Sequence, residues 1–273
     1  MSNSPVKQKI YLARLCSRSE ILKGKDQAEF LHSTPRIQKM NRILAALSDA
    51  EYRNFLSQLE TVSLAQGEVV YQAESRIDYV FFPETSVLSM LSTMEDGRTV
   101  EVGPVGREGV VGLRIFLGAE TSLDQVIVHV AGNAKRLRAS QFKAATLGER
   151  SALRDKLIRY TQMLLAMTAR SGACNKVHNT EQQLARWLLT MRDYSGDELA
   201  LTHELIALTL GVRRAGVTEA ANGFRNAGVI DYRRGRIQIV EQRGLESLAC
   251  ECYSAVKKEY DDLYADLSRP VRG

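Results

Sequence analysis

The sequence predicts an α+β protein with an N-terminal antiparallel β-roll of the jelly-roll type, a long helix and a C-terminal winged helix-turn-helix domain. Three observations support this class. Short runs rich in β-branched and aromatic residues, separated by glycine turns, fill residues 61–139. A helical pattern follows over residues 140–175. Two short helices joined by a glycine turn, and then two short strands, occupy residues 201–240.

The charge of the chain is unevenly distributed. The 273 residues carry a net charge of +5 with 44% hydrophobic residues, which is typical of a globular protein with one large or two ordinary cores. Residues 211–243 hold seven arginines against three acidic residues, and residues 1–38 hold seven basic against three acidic residues. A nearly neutral body with basic segments favours a polyanion as the partner.

The sequence gives no sign of export or of a membrane. No apolar run approaches the roughly 20 residues that span a bilayer, and the N-terminus has no signal-peptide pattern. The four cysteines form no C-x-x-C pair and no disulfide framework. We therefore predict a reduced, cytoplasmic protein with no membrane contact and no metal site. The cysteines are Cys16, Cys174, Cys250 and Cys252.

The chain begins with a basic and weakly patterned extension over residues 1–38, which we expect to be flexible or loosely docked. Asn41–Leu59 then has a helical pattern. Within it, Ser48 is followed three residues later by Glu51, which predicts a second N-terminus with a capping box.

The β-roll is expected over residues 39–140. Asp96-Gly97 lies between two of its β-rich runs and predicts a tight hairpin. The predicted strands are Thr61–Leu64, Val69–Tyr71, Tyr79–Phe82, Val87–Thr93, Thr99–Val102, Val126–Val130 and Ala134–Ala139.

Residues 141–175 are predicted to form a dimerisation helix and its linker. Apolar residues here alternate spacings of four and three, which is typical of a two-stranded seam. The alternative is a helix packed on its own β-domain. We favour dimerisation because a helix-turn-helix unit usually works as a two-fold pair. The predicted seam consists of Leu153, Leu157, Tyr160, Leu164 and Met167.

The winged helix-turn-helix domain is expected over residues 176–273. Asn179 or Thr180 is the expected N-cap of its first helix, and Leu245–Leu267 is expected to be one final amphipathic helix. Thr202 is the expected N-cap of the first helix of the motif, and Gly211 its stop signal. The second helix has an apolar stripe formed by Val217, Ala220, Ala221 and Phe224.

The opposite face of this second helix is small and polar, as a helix in a DNA major groove needs to be. The hairpin after it is tipped with arginines, which predicts a wing aimed at phosphates or the minor groove. A helix pair and hairpin that only pack together have no need for such charge. The residues predicted to contact double-stranded DNA are Arg213, Arg214, Ala215, Thr218, Glu219, Asn222, Arg233, Arg234 and Arg236.

This order of parts resembles the Crp/Fnr superfamily of bacterial transcription regulators, over roughly residues 40–245. The resemblance implies a cyclic-nucleotide-binding-like β-roll that senses an effector, a homodimer on a palindromic operator, and RNA polymerase as a partner if the protein is an activator. The residues that carry it are Tyr79–Pro83, Glu95–Val102, Gly106–Gly112 and Leu201–Ile239.

The resemblance also assigns roles on the second helix. Arg214 matches the family's base-reading arginine, which binds guanine O6 and N7 in a bidentate manner. Ala215 stands in the place of a glutamate, and Glu219 in the place of another arginine, so a different operator is implied. Glu219 could accept from cytosine N4, and Asn222 could reach adenine.

The sensor half departs from the family pattern. Val110 stands where cyclic-nucleotide binders have a ribose-binding glutamate, and residues 118–130 contain no arginine for a cyclic phosphate. Both points argue against cyclic AMP. Cys16 stands alone before Cys174, which argues against an N-terminal iron–sulfur cluster. We predict no cofactor, expect His129 to be a structural residue, and leave the effector unnamed.

Two other functions remain open. A β-roll can also house a cupin-like metal enzyme, but such a site needs clustered histidines and a carboxylate, and the four histidines are scattered. No P-loop, Rossmann glycine pattern or nucleophile elbow is present, so we predict that the protein is not an enzyme. The second alternative is a β-roll adaptor whose winged helix binds protein. The histidines are His32, His129, His178 and His203.

Overall fold

Two antiparallel sheets build the first half of the protein in the computed structural model, which describes residues 40–96, 99–147, 151–233 and 235–267. One sheet has the strand order β1-β7-β3 and the other β2-β6-β4-β5. Both contribute to one hydrophobic core, which confirms the predicted β-roll. The strands are β1 (Glu60–Leu64), β2 (Val69–Tyr71), β3 (Tyr79–Pro83), β4 (Val87–Thr93), β5 (Thr99–Val105), β6 (Gln125–Val130) and β7 (Gly132–Arg138).

Three sequence-based predictions fall outside the described residues. These are the extension over residues 1–38, Gly97 in the expected hairpin turn, and Arg234 in the wing. Strands β4 and β5, which flank that turn, do pair antiparallel, with Thr93 opposite Thr99.

The helical segment before the roll consists of two short helices, α1 (Arg42–Ala45) and α2 (Asp49–Leu56), and the second begins after Ser48 as predicted. The predicted capping box is present, because Ser48 and Glu51 bond each other's backbone N–H groups. Asn41 caps α1 and also donates to the carbonyls of Pro83 and Gly109, at 2.9 Å each. This buried amide therefore fixes α1 against the roll. A 3-10 turn (Leu113–Ile115) completes the domain.

The helical region after the roll is also divided, into α3 (Ala139–Thr146) and α4 (Ala152–Val177). The predicted dimer seam on α4 lies in the chain's own core. Leu153, Leu157, Tyr160 and Met167 are at most 4% exposed, and Leu164 is half-buried against the same cluster.

Two neighbours cover this stripe of α4. Tyr160 fills the space beside Gly109 of the roll, where an added Cβ would collide with its hydroxyl. On another side, α9 (Cys252–Leu267) packs along α4, and Tyr260 donates to the sulfur of Met167 at 3.1 Å. The stripe therefore packs within its own chain. The alternative, a helix packed on its own β-domain, describes these residues better than the predicted dimer seam does.

The C-terminal domain is a helix-turn-helix followed by a hairpin. Asn179 forms a capping box with Gln182, as one of the two expected N-caps. A short strand that the sequence did not reveal pairs with the hairpin and gives the sheet order β8-β10-β9. The elements are α5 (Thr180–Ser195), β8 (Glu198–Leu199), α6 (His203–Leu210), α7 (Arg214–Asn226), β9 (Ile230–Arg233), β10 (Arg236–Ile239) and α8 (Gln242–Leu248).

The expected single helix Leu245–Leu267 is broken between α8 and α9. Ala249 is extended, with φ −78° and ψ 153°, and Cys250 follows it as a buried residue. The apolar periodicity continues across the break, so the pattern alone did not show it. Among the described residues, no helix combines the length and the apolar character of a membrane span.

Candidate nucleic-acid interface

The turn between α6 and α7 is built by the signals that the sequence shows. The hydroxyl of Thr202 accepts from the N–H of Leu205 at 3.2 Å and caps α6. Gly211 ends α6 in the left-handed conformation, with φ 65°, which glycine adopts without steric cost. Arg213 is the N-cap of α7 and has no capping side-chain hydrogen bond. Three residues thus connect the two helices, which is typical of a helix-turn-helix.

The two faces of α7 are sharply different. Its apolar stripe lies in the domain core, with Val217 and Phe224 at most 1% exposed. Burial of a phenylalanine side chain stabilises a fold by about 1.5–3 kcal/mol, so this face holds the helix in place. The predicted recognition face is open to solvent. Its exposed members are Arg213, Arg214, Ala215, Glu219 and Asn222.

Arg214 is held by an exposed ion pair. Its Nε lies 2.9 Å from Oε1 of Glu204 on α6, and both side chains are more than half exposed. Exposed pairs of this kind contribute about 0–1 kcal/mol. The guanidinium can therefore leave Glu204 for a stronger ligand at little cost.

Thr218, the remaining predicted contact on α7, is half-buried and engaged inside the domain. Its hydroxyl donates to the carbonyl of Arg214 at 3.1 Å and lies 3.0 Å from Nδ1 of His203. The ring of His203 stacks on Tyr232 of β9, with centroids 4.4 Å apart. Burial, and then the charge of Arg214, lower the pKa of His203.

A neutral His203 has one N–H, and the hydroxyl proton of Thr218 is already used. We therefore assign Nδ1 as the donor to Thr218. These two contacts of His203 join α6, α7 and β9, and they orient α7 against the hairpin. The sequence shows His203 only as the first residue of a helix, so the stacking on Tyr232 could not be foreseen.

The wing carries its arginines at the hairpin end. Arg233 and Arg236 are paired across β9 and β10, and Gly235 takes the left-handed conformation with φ 78°. Arg233 is 84% exposed and lies 2.9 Å from Asp231. Arg236 forms an ion pair with Glu198 of β8. The described part of the wing is therefore cationic, exposed and weakly paired.

A buried polar cluster connects the β-roll to this domain. Glu101 of β5 accepts from Ser89 and from the indole N–H of Trp187 on α5, the latter at 3.0 Å. Ser89 also lies 3.0 Å from Nδ1 of His129. Burial raises the pKa of Glu101 and lowers that of His129 to about 4. His129 is thus a buried neutral residue, and its Nε2 has no partner among the described residues.

The position that the resemblance assigns to a ribose ligand lies in the core of the roll. Val110 is 2% exposed and packs with Val111, Leu113 and Ile115. The described residues hold one group of three or more potential metal ligands, and it lies outside the roll. This group was missed by the sequence reasoning, although its Cys-x-Cys and Cys-x3-His spacings are visible. Its members are Cys174, His178, Cys250 and Cys252.

Solved structures share this architecture. FixK2 from Bradyrhizobium japonicum is 18% identical and superposes with a TM-score of 0.60, covering 70% of this chain and 98% of that chain. The c-di-GMP responsive global regulator CLP from Xanthomonas campestris is 12% identical with a TM-score of 0.55, covering 70% of this chain and 99% of its own. At these identities the likeness establishes the fold.

Sequence comparisons point to the same group of proteins. The transcriptional activator protein FnrL of Cereibacter sphaeroides is 26% identical, covering 76% of this chain and 90% of that protein. A cyclic nucleotide-binding domain model matches residues 61–150, and a Crp-like helix-turn-helix domain model matches residues 182–248. Together these two models span more than half of the chain, in the order of the β-roll and the winged helix, and the protein belongs to the Crp/Fnr family of DNA-binding transcription regulators.

Proposed function

We propose that this regulator binds a palindromic operator as a homodimer, with α7 in the major groove and the wing on the sugar-phosphate backbone. The observation that carries the proposal is the orientation of α7. Its apolar stripe is buried while its polar face is exposed, so the helix can enter DNA without rearrangement. The bounds of the domains proposed for this role are residues 39–140, 141–175 and 176–273.

Base reading is assigned to the exposed face of α7. Arg214 donates to guanine O6 and N7 once it leaves Glu204, Glu219 accepts from cytosine N4, and Asn222 reaches adenine. Arg213 and Ala215 contact the DNA at the N-terminal end of the helix. Thr218 contributes by supporting Arg214 from inside the domain, because its hydroxyl is bonded to the Arg214 carbonyl.

Backbone contacts are assigned to the wing, through Arg233, Arg234 and Arg236. Phosphate contacts fix register and contribute affinity without sequence information. The pairs of Arg233 with Asp231 and of Arg236 with Glu198 are exposed, so phosphates can displace both carboxylates.

The dimer contact is assigned to the face of α4 that lies beside the stripe buried in the core. Ile158 is 42% and Leu165 66% exposed, and the two lie seven residues apart on the same side of the helix. Thr161 and Thr168 lie between and after them, and their hydroxyls donate to carbonyls of α4 itself, at 2.7 and 2.8 Å. With Gly172, these residues repeat at spacings of three and four, which is typical of a two-stranded helical contact.

The β-roll is assigned the sensing role. An effector other than cyclic AMP is favoured, because Val110 offers no ligand for a ribose and residues 118–130 offer no arginine for a phosphate. We propose a cytoplasmic regulator without catalytic activity, with RNA polymerase as an additional partner if the protein activates transcription. A cupin-like site is not favoured, since the described metal-ligand group lies outside the roll.

Selection of bound sequences from random duplex DNA, followed by fluorescence anisotropy over a salt series, tests the proposal. Arg214→Ala is expected to weaken binding to the selected site by about 5- to 150-fold and to relax preference at one base pair per half-site, since a bidentate contact contributes about 1–3 kcal/mol. Arg225→Ala is the matched control, because Arg225 is an exposed arginine at the other end of the same helix.

Three results would contradict parts of this proposal. Equal losses on all DNA sequences would make Arg214 a phosphate contact. A failure to select any DNA, combined with capture of a defined protein partner, would favour the adaptor function. Turnover that depends on a metal in the β-roll would favour an enzyme.

A further inference from the structure

Three cysteines and one histidine meet where the end of α4 approaches the break between α8 and α9. Cys174 lies near the end of α4, and His178 is the C-cap of that helix. Cys250 and Cys252 lie at the break between α8 and α9. All three cysteines are free, and each is at most 5% exposed. The four potential ligand atoms lie within 4.8 Å of one another.

The spacing of these atoms fits a tetrahedral metal site. The sulfurs of Cys174 and Cys250 are 3.5 Å apart, and the sulfur of Cys252 is 3.8 Å from Nδ1 of His178. A zinc ion with Zn–S distances of about 2.3 Å and a Zn–N distance of about 2.0 Å places its ligands roughly 3.5–3.8 Å apart. Only small side-chain shifts are therefore needed to bring all four atoms to one ion.

The histidine is oriented for coordination. Nε2 of His178 lies 3.3 Å from the carboxylate of Glu251, so a proton on Nε2 is favoured and Nδ1 keeps its lone pair towards Cys252. A carboxylate behind a ligating histidine is a common feature of zinc sites. Arg186 lies close enough to Cys174 for electrostatic interaction, and it offsets the net negative charge of a zinc ion with three thiolates.

Buried free cysteines often act only as small apolar residues. Here they do not extend the apolar cores. The three cysteines form a hydrophobic cluster of their own, separate from the cores of the β-roll and of the winged helix. A cluster this small contributes little apolar burial, so a cross-link is a better account of why the four groups converge.

We propose that Cys174, His178, Cys250 and Cys252 bind one zinc ion in a closed, structural site. Four protein ligands leave no open position for a substrate, which distinguishes the site from a catalytic one. The ion would join the end of α4 to the start of α9. Because Asn179, directly after His178, caps α5, the same ion would fix the point where the chain passes from α4 into the DNA-binding domain.

The test uses the full-length protein, purified under reducing conditions with and without added zinc chloride. Metal analysis is expected to give one zinc per chain. Titration of the native protein with a mercurial reagent, in the presence of a chromogenic zinc chelator, is expected to release that zinc as three thiols react. Replacement of zinc by cobalt(II) is expected to give the intense visible absorption of a tetrahedral thiolate site.

Variants identify the ligands. Cys250→Ser and Cys252→Ser are expected to reduce the zinc content below a tenth of one equivalent, whereas Cys16→Ser, the matched control, is expected to keep one equivalent. Glu251→Gln is expected to retain the site but weaken zinc affinity about 10- to 100-fold. If the serine variants do not fold, the mercurial and cobalt measurements on the native protein still decide whether a tetrahedral thiolate site binds zinc.

Four results would overturn the proposal. These are reduced protein that binds neither zinc nor cobalt at one equivalent, a Cys174–Cys250 disulfide as the stable form under those conditions, an iron–sulfur absorption spectrum with bound sulfide, and loss of zinc from Cys16→Ser with retention in Cys250→Ser. None of these measurements involves DNA, so the outcome is independent of the proposed operator binding.

Discussion

The buried His129 predicts a loss of stability at mildly acidic pH. Its pKa is lowered from its ordinary value of 6.5 to about 4 by burial. At pH values between about 4 and 6.5, His129 is protonated in the unfolded chain and neutral in the folded chain. The stability that this histidine contributes is therefore present above pH 6.5 and is lost as the pH falls towards 4. A shift of one pKa unit corresponds to about 1.4 kcal/mol. The expected loss in the free energy of unfolding between pH 7 and pH 5 is therefore about 2 kcal/mol.

Glu101 acts in the opposite direction. Burial raises its pKa, so the folded chain holds a proton there more readily than the unfolded chain, and this group adds stability as the pH falls towards its ordinary range. The pH dependence of the wild-type protein alone is therefore a sum of opposing contributions. A comparison with His129→Asn isolates the histidine, because the asparagine side chain can still reach Ser89 from the position of Nδ1 and cannot take up a proton.

Urea unfolding at pH 7 and pH 5, followed by tryptophan fluorescence, measures the effect. Trp187 is the single tryptophan of the chain, and its ring centroid lies 5.3 Å from that of His129. His129→Asn is expected to be less stable than the wild type at pH 7, since it loses ring packing. Its stability relative to the wild type is expected to improve by about 2 kcal/mol on going to pH 5. An unchanged difference between the two proteins at both pH values would refute the reasoning.

Two further predictions concern the interfaces. Glu204→Gln removes the carboxylate that holds Arg214 in the free protein, so operator binding is expected to tighten by up to about fivefold in anisotropy titrations, and weaker binding would mean that Glu204 helps to position the arginine. Leu165→Asp is expected to convert the dimer to a monomer in light scattering, because a carboxylate in an apolar contact is costly, while Leu147→Asp, at an exposed leucine outside α4, is expected to leave the dimer intact.

The sequence predicted those parts of the fold that local chemistry determines. Thr202 and Gly211 have their roles in whichever fold surrounds them, because a hydroxyl cap and a left-handed glycine act within one helical turn. The same holds for the apolar stripe of α7, whose period separated the buried face from the exposed face. The strands of the β-roll were likewise predictable, because each is a run rich in β-branched residues that is separated from the next by glycine turns.

The predicted dimer seam on α4 shows the limit of periodicity. Leu157 and Ile158 are adjacent on α4, and both begin repeats of large apolar residues with spacing seven, Leu157–Leu164 and Ile158–Leu165. The period shows that each repeat shares a face, but it does not show which neighbour covers that face. The choice depends on α9, which packs on α4 from nearly a hundred residues further along the chain, as the Tyr260–Met167 contact illustrates.

The polar clusters could not be predicted from the sequence for a related reason. Trp187 and Glu101 are 86 residues apart in sequence, and Cys174 and Cys250 are 76 apart. Each residue alone fits its own helix or strand, and only the docking of domains brings the pairs together. A buried carboxylate such as Glu101 is expensive unless it is hydrogen-bonded, so its partners had to come from elsewhere in the chain.

These long-range contacts link the β-roll to the helix-turn-helix. Two adjacent residues of β5, Val100 and Glu101, contact the DNA-binding domain at two different places. Glu101 accepts from Trp187 on α5, while Val100 packs so close to Gly211 that a Cβ added to this glycine would lie 3.3 Å from the valine side chain. Gly211 is in the turn that sets the position of α7. A displacement of β5 must therefore alter either the buried hydrogen bond or the contact at the turn. Because coupling between two sites is carried by physical contacts, we expect β5 to be one route by which a change in the β-roll reaches α7.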